Sequence, residues 1–404
     1  MFHSLQSGHF KRIIANFALM NKRGAITGSA APSGRDTALD VLRIAAAVAV
    51  VWLHASSQHF VESFSTALWT VRVAGNCLSR WCVPVFLMIS GALFLDKGRK
   101  LSLGHLYGKN LLHIVVAFFI WSYVYSFQQV NAGPWRKSLA LLLQGPSHLW
   151  FLKMLAGIYI AVPVFRAVTA TKQMERYFIV LAVATTFVVP FGFTLAKQHC
   201  DPAVLMPVKR FYDSLFIHTA AGYSGYFVLG HYLRAYPLPA RWQRWCYAAG
   251  LAATAIMVAG TIGYSHRSHK AVNWFINYLT PTVLAQAVAV FVLFVHRRPR
   301  LHGAWQRWVP AMARLSFGVY LVHVLFIRTA VAHGHLIVYT PRTGHSTLHS
   351  GHHRRIGAHS LAAEQNPLRS PLPAVITRTH EKPENINRFG ISLGLHRFCQ
   401  KWRN

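Results

Sequence analysis

The chain has 404 residues, of which 53% are hydrophobic and only 13% charged, with a mean hydropathy of +0.30; this is too apolar for a soluble domain of ordinary make-up. Its 42 Lys and Arg against 10 Asp and Glu give a formal charge of +32, a balance that suggests nucleic-acid binding only when the cations cluster on one face. Here they are dispersed between apolar runs of membrane-spanning length, so no nucleic-acid partner is expected. The five cysteines, Cys77, Cys82, Cys200, Cys246 and Cys399, include no CxxC pair and give neither a disulfide framework nor a zinc site.

In chain order, residues 1–36 form a basic arm without the apolar core of a cleavable signal peptide, so the first apolar run is expected to act as its own insertion signal. Nine apolar runs follow, at about 38–58, 78–95, 111–129, 148–168, 177–196, 215–233, 245–264, 272–295 and 314–332, each long enough to cross about 30 Å of hydrocarbon. The fold class expected is an all-α polytopic membrane helix bundle with disordered termini. Residues 37–332 form its membrane domain. Cations crowd the N-terminal arm and every second loop, for example Lys97, Arg99, Lys100 and Lys109 after the second run and Arg297, Arg298, Arg300 and Arg307 after the eighth. The positive-inside rule then places the N-terminus in the cytoplasm, with Arg43 in the inner half of the first helix and His54 in the outer half.

The first run, "ALDVLRIAAAVAVVWLH" (Ala38–His54), carries three groups that lipid rejects: Asp40, Arg43 and His54. At 100° per residue Arg43 and His54 fall within roughly 20° of one another and about 16 Å apart along the axis, with Asp40 within roughly 60° of both. An interfacial Asp40–Arg43 pair and a carbonyl-bonded His54 would be the bland account. Three ionisable groups on one intramembrane stripe favour a functional one.

At this stripe the sequence resembles the bacterial acyltransferase 3 family, whose first helix carries an Arg and a His separated by ten residues with an acidic residue just ahead. The resemblance continues through "RWCVPVFLMISGALFL" (Arg80–Leu95), "HLWFLKMLAGIYIAVPVF" (His148–Phe165), "YSGYFVLGHYL" (Tyr223–Leu233) and "LSFGVYLVHVLFI" (Leu315–Ile327). Within the family it looks most similar to the O-acetyltransferases of enterobacterial common antigen and related surface glycans. The resemblance implies an inner-membrane enzyme that moves an acyl group, acetyl in the usual case, from acetyl-CoA or another acyl-CoA to a hydroxyl of a surface carbohydrate or lipid-linked glycan. No bound cofactor or metal is expected. Side-chain chemistry within that reading makes His54 the expected general base or transient acyl carrier, Arg43 the group that anchors the donor or holds the histidine's environment, and Asp40 the group orienting Arg43. Arg80, Ser90, Lys109, His148, Trp150, Tyr226 and His323 fall on its other motifs and are the expected substrate-binding residues.

Each of these also has a packing explanation: Arg80 as a snorkelling anchor, Ser90–Gly91 as a small-residue helix contact, Trp150 as part of an aromatic belt. Lys109 stands where many members carry two arginines spaced by two residues, and a lysine lacks the bidentate fork. After Arg328 the family runs into a tenth helix. Here residues 333–404 turn instead to a His-, Arg-, Pro- and Ser-rich tract that is expected to be disordered and reads as a shifted frame or a fused terminus. The alternative class is a multi-pass secondary transporter or glycan flippase, which would show inverted repeats and helices broken at matching positions. Pro84, Pro163, Pro190 and Pro281 are not symmetric. Acyl group, acceptor sugar and oligomeric state are not set by the sequence.

Overall fold

The first helix begins where a cap is available. In the computed structural model, which describes residues 36–332 except 59, 61–63, 65–66, 132–134, 218–220 and 298–300, Asp36 accepts hydrogen bonds from Ala38 N at 2.9 Å and Leu39 N at 3.3 Å. This satisfies two donors that helix geometry leaves orphaned. Helix α1 (Thr37–Ser56) then buries Leu39, Leu42, Ala46, Val50 and Leu53 and turns Val48 and Trp52 outward. Such a division fits a helix with one face in protein and the other in lipid.

Helices α2 (Ala67–Ser79) and α3 (Cys82–Phe94) form one 27-residue span, Leu68–Phe94, relaxed at Arg80 and Trp81. Helix α4 (Leu112–Asn131) is preceded by a π-helical turn, Leu106–Leu111, and followed by α5 (Trp135–Gln144). The next span is broken: α6 (Trp150–Ile160), entered through the 3₁₀ turn Ser147–Leu149, bends by 59° into α7 (Val162–Val168). Pro163 lies in the first turn of α7, where its missing N–H costs nothing but continuation of the preceding ladder is lost. Helices α8 (Lys172–Ala182) and α9 (Val189–Ala196) are joined by a π-helical turn, Val183–Val188, ahead of Pro190. The set is completed by α10 (Pro202–Ser214), α11 (Ser224–Ala235), α12 (Ala240–Ser268), α13 (Pro281–Arg297) and α14 (Trp305–Ala332).

Seven of these segments are long and apolar enough to cross a membrane, or eight if the bent pair is one span. The chain is a polytopic helical membrane protein. Eight of the nine expected runs are thereby accounted for, counting the bent pair as one, with ends moved by up to ten residues, as at Leu68–Phe94 and Trp305–Val331. The exception is 215–233. In its place stands the 12-residue α11, which at 1.5 Å per residue is about 18 Å long and too short to span. Ser224, Gly225, Tyr226, Phe227, Val228, Gly230, His231 and Leu233 of α11 are all buried, so it is surrounded by protein rather than lipid, where a short helix is tolerated. Its seam with α3 is a backbone contact: a Cβ on Gly91 would meet the Phe227 carbonyl, and one on Gly230 would meet the Met88 backbone. Gly91 is thus a close-packing residue. The expected basic arm and disordered tail lie outside the described residues.

Candidate active site

Three imidazoles from three separate elements converge near the C-terminal end of α1. The ring centroid of His54 is 4.8 Å from that of His323 on α14 and 6.5 Å from that of His148 in the turn before α6; the His148–His323 distance is 5.9 Å. His148 and His323 are buried and His54 is half-buried. A hydrogen-bonded frame holds them. The Tyr320 hydroxyl donates to the His148 carbonyl at 2.6 Å, and the Tyr125 hydroxyl donates to the Leu321 carbonyl at 2.9 Å. The Tyr125 ring packs edge-on against His148, centroids 4.4 Å apart, and the Arg328 guanidinium lies over the Tyr125 ring, 5.8 Å from its centroid.

The tautomer of His323 follows from its partner. Nδ1 is 2.6 Å from the Tyr320 carbonyl, which only accepts, so Nδ1 carries the hydrogen and the Nε2 of the neutral ring presents a lone pair. That Nε2, like the Nε2 of His148, is buried without a hydrogen-bond partner among the described residues. Buried orphans of this kind are rare and call for an explanation. Among the described residues no group of three or more His, Cys, Asp or Glu is arranged to hold a metal.

Arg80 joins the same cluster. It is a charged neighbour of His54, and its Nε donates to Asn76 Oδ1 at 2.6 Å while Asn76 Nδ2 donates to Ser57 Oγ at 2.6 Å. The guanidinium lies 5.4 Å from the centroid of Tyr278, on which Trp150 stacks at 5.7 Å, with Tyr223 5.3 Å beyond. A half-buried arginine with a side-chain acceptor and an aromatic face is not a snorkelling anchor. Tyr226 is fully buried, its hydroxyl donating to the Tyr278 carbonyl at 2.6 Å; it supports the wall behind Arg80 rather than facing the imidazoles.

The other expected residues lie at a second level. Arg43 and Ser90 are both within electrostatic or hydrogen-bonding reach of the Tyr159 hydroxyl, and Asp40 is buried one turn before Arg43. Three elements therefore carry polar groups at the same two heights: Arg43 and His54 on α1, Ser90 on α3 with Arg80 at its start, Tyr159 on α6 with His148 just before it. A separation of ten or eleven residues corresponds to about 16 Å. Asp40 and Arg43 are thus not in contact with the imidazoles. Lys109 is exposed on the π-helical turn before α4, the turn from which the Tyr107 hydroxyl donates to the Ile160 carbonyl beside Tyr159. Tyr125, Asn76, Tyr278 and Arg328 were not singled out from the sequence. Tyrosines and an asparagine in apolar runs give no signal until their partners are known.

A multi-spanning helical bundle with imidazoles and arginines gathered inside it is the architecture of an intramembrane enzyme or transporter. The chain matches the acyltransferase 3 family, described as an acyltransferase domain, over residues 36–337. This is well over half of its length, and the chain belongs to that family. Neither a curated protein nor a solved structure matches it.

Proposed function

We propose that this membrane acyltransferase transfers an acyl group, acetyl in the simplest case, from an acyl-CoA donor to a hydroxyl of a carbohydrate or lipid-linked glycan. It would do so in a bacterial inner membrane with its N-terminus in the cytoplasm. The observation that carries the reading is the pair of polar levels: an arginine level suited to anionic groups and, about 16 Å away, an imidazole level suited to proton transfer. An extended thioester arm reaches from one to the other.

His54 is the base. It removes the proton from the acceptor hydroxyl as the oxygen attacks the thioester carbonyl; the tetrahedral adduct then collapses, the carbon–sulfur bond breaks, and the thiolate takes up the proton. Arg80 favours the oxyanion of the adduct. The variant route, in which His54 itself carries the acyl group, uses the same atoms in two steps. Family membership favours acyl transfer over a transporter or flippase. The test is loss of acetyl-CoA thioester by purified protein in detergent, with and without lipid-linked glycan. Glycan-dependent loss supports the reading, and none under either condition overturns it.

A further inference from the structure

A second polar centre lies away from the imidazole cluster, at the end of the bundle where α1 begins. Glu175, on the first turn of α8, is completely buried, and its Oε1 is 2.7 Å from Nδ1 of His231 on α11, whose side chain is 6% exposed; Glu175 Oε2 has no partner among the described residues. Three residues further along α11, Arg234 forms an ion pair with Asp36, the cap of α1. His231 and Arg234 both line a cavity of about 340 Å³, completed by Ala92, Asp96, Val295 and His296 among others. That volume is at the lower end of the range of small-molecule sites.

The carboxylates that pair with His231 and Arg234, Glu175 and Asp36, are not part of the lining, whereas the imidazole and the guanidinium are. The lining acid, Asp96, accepts from Gly98 N at 2.9 Å and lies 3.7 Å from Arg99. His296 accepts from Leu238 N at Nε2 and contacts the Val292 carbonyl at Nδ1, so both of its nitrogens are committed. Left for a ligand are those of the five guanidinium N–H groups of Arg234 that Asp36 does not use, and Nε2 of His231, which accepts from a P–OH group while the ring is neutral and donates to a phosphoryl oxygen once the ring takes up a proton. A carboxylate behind each of the two side chains fixes its orientation toward the space in front, as outer-shell groups do at other binding sites. Lys97, Arg99, Lys172 and Arg176 on adjacent segments add to the positive field.

We propose that this cavity is a binding site for a phosphoryl group, supplied either by the nucleotide end of the thioester donor or by an anionic lipid headgroup. The chemistry rests on His231, Arg234 and their carboxylates. The donor assignment rests on the acyl-transfer reading, and on Asp36 lying seven residues, about 10 Å, from Arg43 along α1.

The tests are steady-state kinetics with acetyl-CoA and with the phosphate-free donor acetyl-pantetheine, and binding of inorganic pyrophosphate to the purified protein followed by thermal stabilisation. Arg234→Gln and His231→Gln are expected to abolish stabilisation by pyrophosphate, with Arg234→Lys retaining part of it. For a donor site, Arg234→Gln raises KM for acetyl-CoA at least tenfold and leaves KM for acetyl-pantetheine within twofold. For a lipid site, KM is unchanged and phosphatidylglycerol co-purifies with the wild type and not with the variant. Pyrophosphate stabilisation that persists in both Gln variants, or is absent in the wild type, overturns the proposal. Equal loss of activity with both donors and no change in pyrophosphate binding assigns the cluster a packing role and overturns it too. A wild type that consumes no thioester but loses pyrophosphate binding on Arg234→Gln sinks the acyltransferase reading alone.

Discussion

The imidazoles of His54 and His323 are 4.8 Å apart between centroids, and the nitrogen of His323 that is free of the Tyr320 carbonyl is a lone-pair acceptor. That nitrogen is not hydrogen-bonded to His54 as the rings stand, but a lone-pair acceptor this close to His54 can take a proton or hydrogen bond from it when either ring turns. Replacing it by Ala is expected to lower kcat by about 10²-fold, at the lower end of the range for lost acid–base help, with recovery when imidazole is added to the assay. His323→Phe, which fills the space, is expected to show no recovery. Equal activity of the two variants with and without imidazole would remove His323 from proton handling.

His54→Ala should abolish acyl transfer, a loss of about 10²-fold or more, while insertion and abundance stay near wild type because a small neutral residue in a spanning helix carries no insertion penalty. The measurement is glycan acetylation in a host lacking its own enzyme, beside quantification of the membrane-inserted protein. Activity within tenfold of wild type would rule out both the base and the carrier role.

Arg43→Lys keeps the charge and loses the fork. If the guanidinium grips a phosphate or carboxylate through two parallel hydrogen bonds, the variant should lose at least tenfold in kcat/KM, equivalent to about 1.4 kcal/mol. A fully active lysine variant would reduce Arg43 to a point charge near the interface.

The seam between α3 and α11 makes a prediction about stability. A methyl group at Gly91 or Gly230 would collide with backbone rather than with a movable side chain, and overpacking of this kind costs about 1–3 kcal/mol. Gly91→Ala and Gly230→Ala should each lower the unfolding midpoint in detergent. Gly108→Ala, with nothing near the added carbon, should leave it unchanged. Equal midpoints for all three would mean that the two helices part easily.

What the sequence revealed was whatever a single helix records about itself. The apolar runs, their approximate ends and the common face of Arg43 and His54 follow from composition and a period of 3.6 residues. Contacts between helices are a different matter, because periodicity says which face is buried and not what it meets. His148, Arg80 and His323 could be singled out by motif, yet their convergence on His54 depends on how α2, α6 and α14 pack around α1. Lys109, matched by position to a family feature, is exposed on a π-helical turn whose occurrence no periodicity announces. The run at 215–233 reads as a span because a short helix wrapped in protein has the same apolar composition as one wrapped in lipid. Glu175 and His231, 56 positions apart, belong to runs that show nothing beyond a polar residue near a helix end.

The matched heights of the polar groups on α1, α3 and α6 amount to a gauge for length. Helical rise is fixed at 1.5 Å per residue, so the interval between Arg43 and His54 does not adapt to what is bound. A donor anchored at the arginine must carry its reactive carbon about 16 Å away from its anchored charge. If the donor's charge is held at Arg43 and not at Arg80, compact acyl phosphates, whose carbonyl is bonded almost directly to the anionic group, are expected to be poor donors. Selection among activated acyl compounds thus becomes a matter of reach, decided by the count of residues between two side chains.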